Sequence, residues 1–148
     1  MCNSKLRLLF KLIEEKVEEF QRSEFHSFRE FIDERYRPKK GVLQFCGVYV
    51  IYEGDKPIYV GSAGKGRHTL RYRIGDLFSD YQSKTGERGY YHTLTRKLLK
   101  RKNFNRLEDV RNFYITKCRL RIVKTDTIRQ ARVIEAALIE ILNPCLND

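Results

Sequence analysis

Phe45-Cys46-Gly47-Val48-Tyr49-Val50-Ile51-Tyr52 is β-branched and aromatic almost throughout, and Ile58-Tyr59-Val60-Gly61 resumes the same character a few residues later. Between them, Glu53-Gly54-Asp55-Lys56-Pro57 is turn chemistry. Two extended runs joined in this way predict a β-hairpin with a loop of about five residues. A third strand is expected at Phe113-Tyr114-Ile115-Thr116-Lys117-Cys118-Arg119-Leu120-Arg121-Ile122, where apolar and polar residues alternate.

Helical signals surround these strands. Ser62-Ala63-Gly64-Lys65-Gly66 is a small-residue loop, after which Leu70, Ile74, Leu77 and Tyr81 share one helical face, interrupted by Gly75. Residues 90–102 predict a helix that is basic on one side. Thr127 with Gln130 is a capping-box pair opening a helix that runs to about Leu142, with Pro144 beyond it. Near the N-terminus, Leu6, Leu9, Phe10, Ile13, Val17 and Phe20 draw an apolar stripe on a helix over 5–20, with Ser4 as its N-cap. Ser23 is placed to cap a second helix bearing Phe25, Phe28, Ile32 and Tyr36, and Arg37-Pro38-Lys39-Lys40-Gly41 ends it. The chain therefore divides into a helical extension over 1–40, made of two amphipathic helices, and a main domain over 41–148 with a basic insertion at about 79–106.

The net charge of +11 on 148 residues favours a polyanionic partner, most often nucleic acid and less often an anionic membrane surface. Residues 1–40 are nearly neutral, so +9 of that charge lies on the main domain. Cys2, Cys46, Cys118 and Cys145 are scattered and form no CxxC pair. Neither zinc nor a disulfide framework is expected, and reduced thiols point to a cytoplasmic or nucleoid-associated protein. There is no signal-peptide pattern and no apolar run near the ~18 residues of a membrane span.

Glu135 is the lone carboxylate in Ala131-Arg132-Val133-Ile134-Glu135-Ala136-Ala137-Leu138-Ile139. On a helix it shares a face with Ala131, Leu138, Ile139 and Leu142, where a carboxylate is costly to bury unless paired or metal-bound. An ordinary exposed helix glutamate is the other reading. Tyr49 and Tyr59 are each good strand-packing residues, and a functional reading puts both phenols at one mouth of the hairpin. Arg73 is either a solvated helix arginine, like its neighbours Arg67 and Arg71, or a guanidinium that forks onto a phosphate.

Taken in order, Gly47-Val48-Tyr49, Tyr59-Val60-Gly61, Leu70-Arg71-Tyr72-Arg73-Ile74, the Glu135 helix and Pro144-Cys145-Leu146-Asn147 resemble the motifs of the GIY-YIG nuclease family over about residues 45–148. Both tripeptides carry valine where the family has isoleucine. The loop before Arg73 is longer than usual, which leaves Arg67 and Arg71 as alternatives for the family arginine. Several members have a histidine or tyrosine one turn after that arginine; here the position is Leu77, and His68 and His92 are the available imidazoles.

The resemblance implies an α+β fold with a small three-stranded antiparallel sheet flanked by helices. It also implies DNA hydrolysis with one divalent metal, Mg²⁺ or Mn²⁺. Glu135 would hold the metal, Arg73 would stabilise the phosphate, Tyr49 would activate or orient the water with Tyr59 assisting, and Asn147 would hold the site together by hydrogen bonds. Which tyrosine serves as base stays open. The DNA contacts are expected from Lys65, Arg67, Arg71, Arg96, Lys97, Lys100 and Arg101. The basic stretch 84–106, with Lys84, Arg88, Lys102 and Arg106 and the interleaved Tyr90, Tyr91 and His92, would form the groove. A catalytically inactive nucleic-acid-binding module on the same fold is the alternative. A homodimer through the N-terminal helices is a further expectation.

Overall fold

The computed structural model describes residues 2–63, 69–80, 91–101 and 104–147, with Cys2 described in its backbone only. Three strands, β1 (Gly47–Glu53), β2 (Lys56–Ala63) and β3 (Cys118–Lys124), form one sheet in the order β2-β1-β3, with both pairings antiparallel. Among the described residues five helices surround it: α1 (Cys2–Arg22), α2 (Leu70–Asp76), α3 (Thr93–Arg101), α4 (Leu107–Lys117) and α5 (Ile128–Leu142). This is the small antiparallel sheet flanked by helices that the motifs implied. Among the described residues no helix is long and apolar enough to cross a membrane.

The central strand β1 is apolar on both faces because both are covered. Val48, Val50 and Tyr52, with Val60 and Val123, pack against Phe20 of α1 and against Ala131, Ile134 and Leu138 of α5. Tyr49, Ile51, Tyr59 and Leu120 face the other way, into a core built by α2, α3 and α4.

The hairpin is tighter than its sequence implied. Its turn is Gly54-Asp55 alone, with Gly54 at φ +60°, a conformation glycine adopts without steric cost. The register then shifts: Tyr52 pairs with Pro57, but Ile51 pairs with Tyr59, so Ile58 is an extra, bulged residue. Proline lacks an N–H for the ladder, which suits it to an edge strand beside a bulge. The bulge decides the faces. Without it Tyr59 would lie opposite Val50 and point towards α5; with it, Tyr49 and Tyr59 point into the same core.

Several expected elements differ. The second N-terminal helix is absent. Ser27 and Glu30 cap only a single 3-10 turn, Phe28–Glu30, where the Ser27 amide donates to Glu30 Oε2 at 2.8 Å. The chain then turns on Asp33, whose Oδ1 accepts from the amides of Arg35 and Arg37, and Tyr36 has a left-handed backbone. Tertiary pairing competes with helix here: His26 exchanges backbone hydrogen bonds with Leu120 of β3. Phe28 and Ile32 are fully buried in the same core as the hairpin tyrosines. α1 begins at Cys2, so Ser4 is inside the helix and is not its cap.

The third strand begins at Cys118, and residues 113–117 are helical. Val110, Phe113 and Tyr114 share a buried face of α4, and Asp109 Oδ2 accepts from the amides of Asn105 and Arg106 at the helix start. A short alternating run read across the junction fits either period. α2 ends at Asp76, with Leu77 and Phe78 tightening its last turn, and Tyr81 lies outside the described residues. Gly75 reflects a close approach: a Cβ there would meet Pro38 Cγ at 2.8 Å. α5 starts as expected, with Thr127 Oγ1 accepting from the Gln130 amide at 3.1 Å, and ends at Asn143 in the left-handed region.

Candidate active site

Tyr49 pairs with Gly61 across the hairpin, and its phenol lies over that glycine. A Cβ at Gly61 would fall well inside van der Waals contact of Tyr49 Cζ and Oη, so the final glycine of Tyr59-Val60-Gly61 is required by the ring above it. Gly47 is required for a different reason, since its Cβ would collide with the backbone carbonyl of Val123 on β3. The glycines of the two tripeptides thus let one strand approach its neighbour and one phenol reach the edge of β2.

Tyr49 is fully buried and Tyr59 nearly so, with ring centroids 6.3 Å apart. Between these phenols and α2 stands His92, just ahead of α3. Its Nε2 is 3.1 Å from Tyr49 Oη and 3.2 Å from Arg73 Nη2, and its Nδ1 accepts from the Leu94 amide at 3.0 Å. The Tyr59 ring meets the imidazole edge to face at 5.8 Å. Leu77, one turn after Arg73, is buried, and its carbonyl accepts from Thr95 Oγ1. An imidazole from another element therefore occupies the neighbourhood that the arginine helix leaves apolar. Sequence spacing did not place it, because residues 81–90 separate His92 from the arginine helix; the sequence offered it, with His68, only as an available imidazole. His68 lies outside the described residues.

Arg73 reaches this cluster and sits 3.8 Å from Asp76. Arg71, an alternative from the sequence, points elsewhere: it donates to the carbonyls of Lys39 and Pro38, tying α2 to the segment before β1. Arg67 and Lys65 lie outside the described residues, as do Lys84, Arg88, Tyr90 and Lys102. Glu135 is half-buried on α5 and accepts from the hydroxyl of Ser62 on β2.

Burial pushes both phenols above their ordinary value, Tyr49 the further of the two. For Tyr49 the neighbouring Tyr59 adds to this; for both, Arg73 opposes it and Glu135 adds to it. Glu135 therefore acts electrostatically on both tyrosines although its helix packs on the opposite face of the sheet. His92 is pushed down to about 3, first by burial and then by Arg73 and Arg96. A base that stays neutral when folded but charges when unfolded makes the unfolded state bind the extra proton. Stability is then whole above pH 6.5 and falls as pH drops from 6.5 towards 3, by up to about 5 kcal/mol. Denaturant titrations of the chain and of His92→Gln across that range should show a shallower acid loss in the variant. Parallel slopes would mean the imidazole is not held neutral.

Asn147 grips the outer edge of β2: its Oδ1 accepts from the Val60 amide and its Nδ2 donates to the Val60 carbonyl, both at 2.8 Å. The Leu146 amide donates to Ile58 O at 2.9 Å, so the C-terminal segment covers an edge that would otherwise be unpaired. Lys97 Nζ donates to Leu146 O at 2.9 Å, and Arg101 approaches Cys145 O at 3.5 Å. The cations of α3 thus divide: Lys97 and Arg101 anchor the C-terminal segment, whereas Arg96 and Lys100, one turn apart, are exposed.

No protein-family model and no curated protein sequence matches the chain. Among solved structures it is similar to the GIY-YIG N-terminal endonuclease domain of UvrC from Thermotoga maritima, solved as a point mutant bound to its catalytic divalent cation. The TM-score is 0.44 at 20% identity, covering 79% of this chain and 99% of that one. That solved domain belongs to the family whose motifs this sequence resembles.

Proposed function

We propose that the chain is a divalent-metal-dependent DNA endonuclease of the GIY-YIG type. The observation that carries this reading is the convergence of Tyr49, Tyr59, Arg73 and His92 on one face of the hairpin, with Glu135 of α5 joined to β2 through the Ser62 hydroxyl.

Among the described residues no group of three or more His, Cys, Asp or Glu side chains could enclose a metal. A half-buried single carboxylate fits a hard cation that keeps most of its waters and binds substrate oxygens, as Mg²⁺ and Mn²⁺ do. Glu135 would hold it. When bound, such an ion supplies charge neutralisation at the phosphate and acidifies nearby water.

Arg73 binds a non-bridging phosphate oxygen, because its part-exposed guanidinium stands beside the hairpin phenols, 3.2 Å from His92 Nε2 and 3.8 Å from Asp76 Oδ2. Tyr49 first loses its phenol proton to solvent base, a loss that burial opposes and Arg73 assists. The phenolate then takes a proton from water, the hydroxide oxygen bonds to phosphorus as the bond from phosphorus to the leaving sugar oxygen breaks, and that oxygen takes a proton from solvent. Tyr59, nearer the solvent, orients that water. Asn147 positions the site by fixing β2 at Val60. The reaction belongs in the cytoplasm or on the nucleoid, where DNA is the polyanion that a charge of +11 would meet. Incubation with supercoiled plasmid tests the reading: nicked or linear product with Mg²⁺ and none with EDTA is expected. A retarded but uncut plasmid under both conditions would favour the inactive binding module.

Arg96 and Lys100 are the proposed phosphate contacts on α3. Converting both to glutamine should weaken DNA binding and reduce the slope of log K against log salt by about 2. The same exchange at Lys97 and Arg101 should leave that slope unchanged and loosen the C-terminal segment, seen as faster amide exchange at Val60.

Dimerisation through α1 is part of this proposal. Leu6 (48% exposed), Leu8 (67%) and Phe10 (59%) stand out from the body, whereas Phe20 on the same helix is buried. Lys5, Arg7 and Lys11 lie in the first half of the helix and Glu14, Glu15, Glu18 and Glu19 in the second, where Lys16 and Arg22 offset them in part, so an antiparallel copy would oppose mostly unlike charges. Light scattering should give a dimer that Leu6→Glu with Phe10→Glu converts to a monomer. A monomer mass for the unaltered chain would remove the idea.

A further inference from the structure

We propose that residues 35–40 form a second phosphate-binding surface, which continues the DNA path from Arg73 round α2 on the side away from α3. The segment holds Arg35, Arg37, Lys39 and Lys40 with no carboxylate, and all four cations are exposed. Residues 1–40 sum to near neutrality because their acids are concentrated elsewhere. Glu14, Glu15, Glu18 and Glu19 lie on α1, which packs with α5 on one face of the sheet. At His26 the chain pairs with Leu120 of β3 and passes to the other face, where Phe28, Ile32 and Tyr36 join the core of the hairpin tyrosines. The fold thus separates charges that the sequence averages. Of the adjacent carboxylates, Glu30 is engaged by His26 and the Ser27 amide, and Asp33 by the amides of Arg35 and Arg37; Glu34 is outnumbered by the four cations.

The segment and the residues after it are tied to the arginine helix. The Leu70 amide donates to Phe45 O at 3.0 Å and the Arg71 amide to Leu43 O at 2.9 Å. The Arg71 guanidinium donates to the carbonyls of Lys39 and Pro38, and the Pro38 ring closes on Gly75. On the other side the Lys39 amide donates to Phe31 O at 2.7 Å, and the Asp33 amide to Arg37 O at 2.8 Å. Tyr36, stacked on Phe78 with the Arg111 guanidinium over its ring, has a left-handed backbone that only such surroundings sustain. Because the backbone is already fixed, ordering these cations on a ligand costs side-chain freedom alone.

Helical geometry relates this surface to the site. Successive residues of α2 are about 100° apart, so Arg71 and Gly75 face the segment, Tyr72 and Asp76 come next, and Arg73 follows, where it meets His92. Between the segment and Arg73 lies an open hollow of about 300 Å³, lined by Pro38, Arg71, Tyr72, Gly75, Asp76 and Ser79. The one carboxylate among these, Asp76, stands 3.8 Å from Arg73 Nη1. The separation is therefore on the order of a helix width, ~10–12 Å, or about three nucleotide steps at ~3.4 Å each. A strand with one phosphate on Arg73 carries its neighbours towards Arg96 and Lys100 on one side and towards Arg37, Lys39 and Lys40 on the other.

That the polyanion is DNA rests on the nuclease reading, and binding measured in EDTA, where nothing is cut, separates the two. Titration of the full chain onto a short duplex at several salt concentrations is the test. Lys39→Gln with Lys40→Gln should lower the slope of log K against log salt by about 2. Lys56→Gln with Lys117→Gln removes the same charge at the hairpin-turn end of the sheet and should leave the slope unchanged. An unchanged slope in the first pair, or an equal fall in both, would overturn the proposal. Loss of binding to vesicles of anionic lipid in the first pair, with the DNA slope intact, would overturn it in favour of a membrane surface. The expected slopes in a chain that never cuts would uphold the surface and remove the nuclease reading.

Discussion

Exchanging Glu135 for glutamine is expected to lower plasmid cleavage by about three orders of magnitude or more while DNA affinity changes by less than about threefold. Glutamine keeps the size of the side chain and its place on α5 and removes only the charge that would hold the cation. Binding is carried elsewhere, by cations such as Arg96 and Lys100 on the exposed side of α3. Ser62 donates to the carboxylate and acts on the reaction only through it, so Ser62→Ala should cost about tenfold to a hundredfold. Single-turnover cleavage beside gel-shift titration separates the two quantities. Retained cleavage in Glu135→Gln would sink the metal-anchor assignment, and a parallel loss of affinity would mean that Glu135 supports the fold.

Adding one methyl group at Gly61 should cost about a hundredfold in cleavage with only about 1–3 kcal/mol of stability. The new Cβ would occupy the space of the Tyr49 phenol, which has nowhere to retreat: the ring is fully buried and held at its tip by His92. The methyl group therefore displaces the reactive oxygen and its contact with His92 together. Gly47→Ala is the control. There the obstacle is the Val123 carbonyl in the middle of the sheet, so the cost falls on the fold, at about 2–3 kcal/mol or more, and whatever fraction folds should cut normally. Thermal melts and cleavage per folded molecule, measured side by side, would show the reversed pattern of losses. Equal activity loss per folded molecule in both variants would contradict the assignment of separate roles to the two glycines.

The hairpin, the Thr127-capped helix and the order of the motif residues were legible because each depends on neighbours in sequence: β-branched runs, turn residues, a cap and its partner. The segment 23–36 was not, because a plausible capping serine and a helical spacing of Phe25, Phe28, Ile32 and Tyr36 compete with tertiary backbone pairing of His26 to Leu120, and the pairing wins. Residues 113–117 failed for a related reason. The aromatic and β-branched run Phe113-Tyr114-Ile115-Thr116 satisfies a strand, while Val110, Phe113 and Tyr114 satisfy a helix once α3 and the sheet are present to bury them. Lys97 and Arg101 read as surface charge because nothing in the sequence says that the C-terminal carbonyls lie within reach of α3.

Residue types were readable from the sequence: two tyrosines in a hairpin, a glycine in each of its two tripeptides, an arginine on a short helix, one carboxylate in an apolar helix and an asparagine three residues after Pro144. Only the tertiary structure decided how they meet. A single bulged residue, Ile58, turns Tyr59 onto the face of Tyr49, and in a structure of period two one extra residue reverses everything beyond it. His92 arrives between Tyr49 and Arg73 from an element that spacing could not relate to either, because side-chain adjacency across elements is fixed by packing and not by distance along the chain.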